Sequence, residues 1–306
     1  MSIRVTFLGT AGAIPTNERS LPAVLMQRGN EQFMFDCGEG AQRQMIKAKT
    51  GFHKKMKIFI THMHGDHVLG LPGLLQTMAL MDRQKPVEIY GPVGTAHFLD
   101  CLRETLQFIL TFQVDVHELA DAGVVCNEEE YTVTAARSNH VVPSFAYSFK
   151  EKQRPGKFHP EKAKALNIPQ GEAWSKLQHG QKLTLPNGKI VKPEDITGPS
   201  RKGRKIIYTG DTRPFPEFAA FAAEADLVIH EATFDDALAE KALEDGHSTP
   251  SQAAEEAKSA GAKSLVLTHV SARYSDASIL LEQARKVFEN AQVAADFLEL
   301  ELPLGE

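Results

Sequence analysis

Residues Ile58-Phe59-Ile60 run directly into Thr61-His62-Met63-His64-Gly65-Asp66-His67. Three imidazoles and one carboxylate therefore fall within six residues at the mouth of an apolar strand. Nitrogen and carboxylate donors of this kind suit borderline-soft divalent ions such as zinc, and would also accept manganese or iron. Extended backbone sends residues two apart to the same side, so His62 and His64 point together. Gly65 then permits a tight turn, which lets Asp66 and His67 face a second position. One ion cannot comfortably use all four groups of so short a loop, so two ions are the natural arrangement. Each ion needs further ligands, and a fold that brings several strand ends to one edge can supply them.

Short apolar runs predict strands over 3–8, 33–35, 58–60, 87–90, 131–135, 206–208, 227–229, 265–267 and 293–297. Helical patterns cover 41–49, 71–81, 94–110, 215–224, 251–260 and 278–288. Their alternation, with some strands consecutive, reads as a layered α/β domain with mixed sheets. Three of the strands end in further candidate ligands. His140 follows the turn Arg137-Ser138-Asn139, Asp211 follows Thr209-Gly210, and His269 follows Thr268. Ile58-Phe59-Ile60-Thr61-His62 is echoed by Leu265-Val266-Leu267-Thr268-His269, as two similar halves would do if each delivered a histidine to one cleft. His53, His97, His117, His159 and His179 lack such neighbours and read as surface or packing residues. His230 and His247 are intermediate, one after a strand and one in a glycine-flanked loop.

The 306 residues are enough for one large domain, and no window reaches the roughly 20 apolar residues of a membrane span. The chain enters a strand at Ile3, leaving no room for a signal peptide, and its three scattered cysteines suggest a reducing cytoplasm. The net charge of −5 is unevenly spread: residues 150–205 carry +9 and the remainder −14. Within the basic segment, Pro186-Asn187-Gly188 between two β-prone runs predicts a hairpin. Residues 150–200 therefore read as an inserted basic arm on a single domain spanning 1–306. A solubilising surface insertion would have the same composition.

The pattern His62-x-His64-x-Asp66-His67 with His140, Asp211 and His269 downstream resembles the metallo-β-lactamase superfamily. Further motifs narrow the resemblance to the ribonuclease Z family, short form. They are Phe7-Leu8-Gly9-Thr10-Ala11-Gly12, His230-Glu231-Ala232-Thr233, His247-Ser248-Thr249 and Ser271-Ala272-Arg273-Tyr274. One stretch departs from it: many members carry Pro-x-Lys-x-Arg-Asn where this chain has Pro15-Thr16-Asn17-Glu18-Arg19-Ser20.

The resemblance implies an αβ/βα sandwich of two mixed sheets flanked by helices, with Asp36 as a structural aspartate behind the site. It implies two Zn2+ ions per chain, one held by His62, His64 and His140, the other by Asp66, His67 and His269, with Asp211 bridging. The implied reaction is removal of the 3′ trailer from precursor tRNA, leaving a 3′-hydroxyl. Asp66 takes a proton as well as ligating. His247 assists the leaving oxygen, held in its tautomer by Glu231, although it could instead cap the helix that starts near Pro250. Arg273 could reach a substrate phosphate. Lys152, Arg154 and Lys157 on the arm suit contacts to the RNA backbone, and the short form implies a homodimer. The same site could serve a phosphodiesterase of small esters, a lactonase or an arylsulfatase, for which the arm would be irrelevant. A non-catalytic RNA-binding scaffold would require lost ligands, and none is lost.

Overall fold

A computed structural model describes residues 2–304 of the chain. The strands, in chain order, are β1 (Ile3–Gly9), β2 (Ala11–Gly12), β3 (Ala23–Arg28), β4 (Glu31–Phe35), β5 (Lys55–Phe59), β6 (Val87–Pro92), β7 (Val114–Leu119), β8 (Gly123–Asn127) and β9 (Tyr131–Arg137), followed by β10 (Phe145–Glu151), β11 (Leu183–Thr184), β12 (Ile190–Val191), β13 (Lys205–Tyr208), β14 (Leu227–Glu231), β15 (Leu265–Thr268), β16 (Val270–Ser271), β17 (Ala291–Val293) and β18 (Glu299–Leu302). Two seven-stranded sheets result, ordered β18-β1-β3-β4-β5-β6-β7 and β17-β15-β14-β13-β10-β9-β8. Both are mixed. β4, β5, β6 and β7 run parallel in the first, and β13, β14, β15 and β17 in the second.

Strand alternation sorts the side chains into layers. In β4, Phe33 and Phe35 turn to the opposite sheet, where Phe33 meets Phe149 edge-on and Phe35 packs on Tyr147 and Tyr208. Met34 turns the other way, into a core shared with helices α1 (Ala41–Lys47), α3 (Gly70–Leu80) and α4 (Thr95–Leu106). The second sheet packs its outer face on α8 (Phe218–Phe221), α10 (Pro250–Ser259) and α11 (Ser278–Val287). This is the αβ/βα sandwich that the resemblance implies.

Residues 151–204, with 129–131 and Leu304, cluster as a second compact unit. It contains α5 (Pro160–Ala165), α6 (Glu172–Gln178), the β11–β12 hairpin and α7 (Pro193–Ile196). Ala163, Ile168, Leu177, Leu185, Val191 and Ile196 form its own buried core. Gly188, at φ 81°, makes the left-handed turn that Asn-Gly predicted.

Two predicted elements are corrected. The helix over 215–224 shrinks to the single turn α8, because Pro214 and Pro216 oppose helical backbone before Glu217. The strand over 293–297 ends at Val293, and Phe297 adopts φ 67° in the turn beyond it. The edge strands β7 and β18 carry no apolar run; β18 reads Glu-Leu-Glu-Leu, with both glutamates exposed. Charge on an edge discourages further strand pairing, which removes the pattern that identifies interior strands.

Candidate metal centre

β5 ends at Phe59, and its continuation stays extended through His64 before α2 (Gly65–Val68) turns the chain. His62 Nε2 lies 3.0 Å from His64 Nδ1, which lies 3.3 Å from His140 Nε2. The turn brings Asp66 Oδ2 to 3.5 Å from His67 Nε2 and 3.4 Å from His269 Nε2. Asp211 sits between the groups. Its Oδ2 is 3.7 Å from His62 Nε2 and 3.4 Å from His67 Nε2, and its Oδ1 is 3.3 Å from His269 Nε2. All seven predicted ligands therefore converge at the ends of strands from both sheets, as the Thr-His echo anticipates.

At His62, His67, His140 and His269 the nitrogen facing inward is left as the lone-pair atom, because the opposite ring nitrogen is already engaged. His67 Nδ1–H donates to Asp36 Oδ2 at 2.7 Å, and His140 Nδ1–H to the Gly246 carbonyl at 2.7 Å. His62 Nδ1 is 2.9 Å from Thr61 Oγ1, whose hydroxyl donates to Asp36 at 3.0 Å. His269 Nδ1 is 2.8 Å from Thr233 Oγ1, whose hydroxyl donates to Glu231 at 2.6 Å. Each half of the fold thus fixes a histidine tautomer through a threonine and a buried carboxylate, the outer support expected of a metal ligand. His67 Nε2 and Asp211 Oδ1 are buried and have no hydrogen-bond partner among the described residues. Lone pairs crowded together without donors are unfavourable unless a cation lies among them, so this donor set fits divalent metal.

Asp36 ties the two sheets together. It adopts φ 55° and accepts from Thr61 N–H and O–H, His67 Nδ1–H and Tyr208 O–H, the last at 2.8 Å. Asp36→Ala strands these buried donors. It should destabilise the metal-free protein by about 3 kcal/mol or more, since each unpaired buried group costs ~1–3 kcal/mol. Metal affinity should also fall about 10- to 100-fold. Urea denaturation and chelator competition check the two effects separately.

Next to the ligands opens a cleft of about 470 Å³, lined by Gly12, Ala13, Phe234, His247, His269 and Arg273 among others. His247 Nδ1 lies 2.8 Å from Glu231 Oε1. Burial pushes the His247 pKa down, but the Glu231 carboxylate outweighs it and the group is pushed up to about 9. Glu231 itself is buried and also accepts from Thr212 N–H, Thr233 N–H and Thr233 O–H. The helix-cap alternative for His247 fails: Thr249 caps α10 in a box with Gln252. His230 alternates to the outer face and pairs with Glu256 at 2.9 Å, away from the cleft. The Arg273 guanidinium lies over Phe234, 4.6 Å from the ring centre.

In the second unit, Lys152 and Lys157 are exposed. Arg154 is half-buried with its Nε and Nη2 atoms out of solvent, so of the three arm residues it is least offered to a ligand. Sequence reasoning missed Thr61, Tyr208, Thr233 and Gly246, and also the Ala13 N–H that bonds Asp66 Oδ2 at 3.0 Å. Thr61 carried a signal as part of the repeated Thr-His, and Thr233 as the last residue of His230-Glu231-Ala232-Thr233, but neither was assigned a role.

A family model described as "Beta-lactamase superfamily domain" matches residues 176–270, and one described as "Anti-Pycsar protein Apyc1" matches residues 3–154. The chain is 46% identical over 302 residues to a protein named Ribonuclease Z from Methanosarcina acetivorans, covering 98% of each. It is 45% identical over 309 residues to the Ribonuclease Z of Archaeoglobus fulgidus, covering all of both. Among solved structures it is similar to human tRNase Z, short form, with TM-score 0.74 and 34% identity, covering 98% of this chain and 100% of that one. Full-length identity at this level, on a chain that brings together every residue the resemblance named as a ligand, shows that the chain belongs to the ribonuclease Z family, metal-dependent endoribonucleases that process the 3′ end of tRNA.

Proposed function

We propose that this chain hydrolyses precursor tRNA with two zinc ions, His62, His64 and His140 holding one, Asp66, His67 and His269 the other, and Asp211 both. The observation that carries this reading is the convergence of these groups with two buried donor atoms left unpaired. When bound, paired divalent ions supply a nucleophile from water near neutral pH and offset charge on the phosphate.

The chain's own groups do the rest. Asp66, steadied by the Ala13 N–H, takes a proton from the attacking water. Glu231 accepts the His247 Nδ1–H, so the proton available for transfer is on Nε2. As the new P–O bond forms and the P–O3′ bond breaks, that proton passes to O3′. The tRNA keeps a 3′-hydroxyl and the trailer keeps the phosphate. Arg273 binds a neighbouring phosphate.

The arm, with Lys152, Arg154 and Lys157, holds the RNA by its backbone, and the enzyme works as a cytoplasmic homodimer in which one arm presents tRNA to the partner's site. Among the described residues no helix is long and apolar enough to cross a membrane. Incubation of the metal-loaded protein with a precursor tRNA bearing a 3′ trailer tests the reading. A single cut releasing the trailer is expected. Hydrolysis of small esters with intact precursor tRNA would instead support the small-ester reading.

The arm can be tested separately. Replacing residues 152–192 with a short Gly/Ser linker removes most of the basic cluster and no proposed ligand. Metal content and hydrolysis of a chromogenic phosphodiester should persist, while KM for precursor tRNA rises. In the intact protein, log affinity should fall with log salt, the slope becoming shallower by roughly 0.7–0.9 for each phosphate contact removed. An unchanged KM and slope would make the arm a soluble insertion.

A further inference from the structure

Three loops at the mouth of the second sheet carry His140, Asp211 and His247, and Arg213 touches all three. Its backbone lies two residues after Asp211, and its N–H donates to the Asn139 carbonyl at 2.8 Å, next to His140. Its guanidinium donates from Nε to the Leu243 carbonyl at 2.5 Å and from Nη2 to the Glu244 carbonyl at 3.1 Å. These are late carbonyls of helix α9 (Ala239–Asp245), which lack partners within the helix and favour a cation.

The end of α9 links this clamp to the metal ligands. Gly246, at φ 89°, ends the helix, and its carbonyl accepts the His140 Nδ1–H at 2.7 Å. A Cβ at that position would stand 2.7 Å from His140 Nδ1, so the contact is close and admits only glycine. The next residue is His247. The adjoining Thr212 completes the knot. Its Oγ1 accepts from Asn139 N–H at 2.9 Å, its N–H donates to Glu231 Oε1 at 2.8 Å, and its carbonyl accepts from Ser248 Oγ–H at 2.7 Å.

We propose that Arg213 is a positioning residue: by clamping the C-terminus of α9 it sets the Gly246 carbonyl that orients His140 and sets the angle at which His247 enters the cleft. It touches no reacting atom, and its role rests on the ligand set and the His247 function proposed for this site. Arg213 is partly exposed, so water replaces some of what its removal loses, and the effect belongs at the lower end of the usual 10- to 100-fold range for groups behind metal ligands.

The test uses full-length protein loaded with zinc, with Arg213→Gln and Arg213→Lys as variants. Arg213→Gln should lower kcat for precursor tRNA about 10-fold with KM near wild type. Chelator competition should show one zinc released about 10-fold more readily while the other is held as before. The downfield proton resonance of His140 Nδ1–H should broaden or move. Arg213→Lys, which can satisfy one carbonyl, should fall between. Gly246→Ala attacks the same link without touching Arg213 and should reproduce the loss at one metal. If Arg213→Gln only lowers the melting temperature, with kcat, both zinc affinities and the His140 resonance unchanged, Arg213 is merely a helix cap and the proposal is overturned. If the wild-type protein itself binds fewer than two ions or leaves precursor tRNA uncut, the underlying reading fails, independently of Arg213.

Discussion

Asp211→Ala should empty both metal positions and abolish hydrolysis of precursor tRNA and small phosphodiesters alike. Its two oxygens face different histidines, with Oδ2 toward His62 and His67 and Oδ1 toward His269. In the proposed arrangement, removal of any single histidine would take one donor from one ion, whereas loss of Asp211 would take one from each. It also leaves Asp66, near His67 and His269, as the remaining carboxylate among the imidazoles, which raises the cost of bringing two dications together. A rate enhancement on the order of 10⁶-fold or more, typical of enzymes, would disappear with the ions. The fold should survive, because the sheets are held by aromatic packing between Phe33, Phe35, Tyr147, Phe149 and Tyr208 rather than by the metals. Elemental analysis after reloading and dialysis reads the metals, and circular dichroism reads the fold. Retention of two ions with low activity would exclude the bridging role and assign Asp211 to proton transfer.

The clustered histidines and aspartates were legible because metal chemistry limits side-chain choice and because short loops keep candidate ligands near strand ends. His62 through His67 identified themselves by spacing, and His140, Asp211 and His269 by their positions after apolar runs. The supporting groups were not legible. Thr233 and Tyr208 act through one hydroxyl each, and Gly246 through a carbonyl that every residue type possesses. Asp36 emerged only through family resemblance, since a buried aspartate at φ 55° is indistinguishable in sequence from a turn residue. The same logic separates the strands. Interior β5 and β15 were visible as apolar runs, whereas β7 and β18, exposed at an edge, place acids where pairing ends.

His247→Ala should lower kcat for precursor tRNA roughly 10²- to 10⁴-fold, the usual contribution of a positioned general acid. The competing role is ligation. Asp211, His247 and His269 also lie close enough to share an ion, with His247 Nδ1 4.0 Å from Asp211 Oδ2. Against it, that same Nδ1 is 2.8 Å from Glu231, and Glu231 is buried in a nest of donors that keeps it anionic. Metal content decides between the two roles, since an acid can be removed without losing an ion and a ligand cannot. The leaving group gives a second and sharper criterion. The 3′-oxygen of a ribose is a poor leaving group and gains much from protonation, whereas p-nitrophenolate departs readily without it. The penalty for His247→Ala should therefore shrink strongly on bis-p-nitrophenyl phosphate. An equal penalty on both substrates, with zinc intact, would remove His247 from proton transfer and leave it stabilising phosphate charge. Glu231→Gln should follow His247→Ala in its substrate dependence but with a smaller loss, because the amide oxygen can still accept the Nδ1–H while the negative charge that holds His247 protonated is gone.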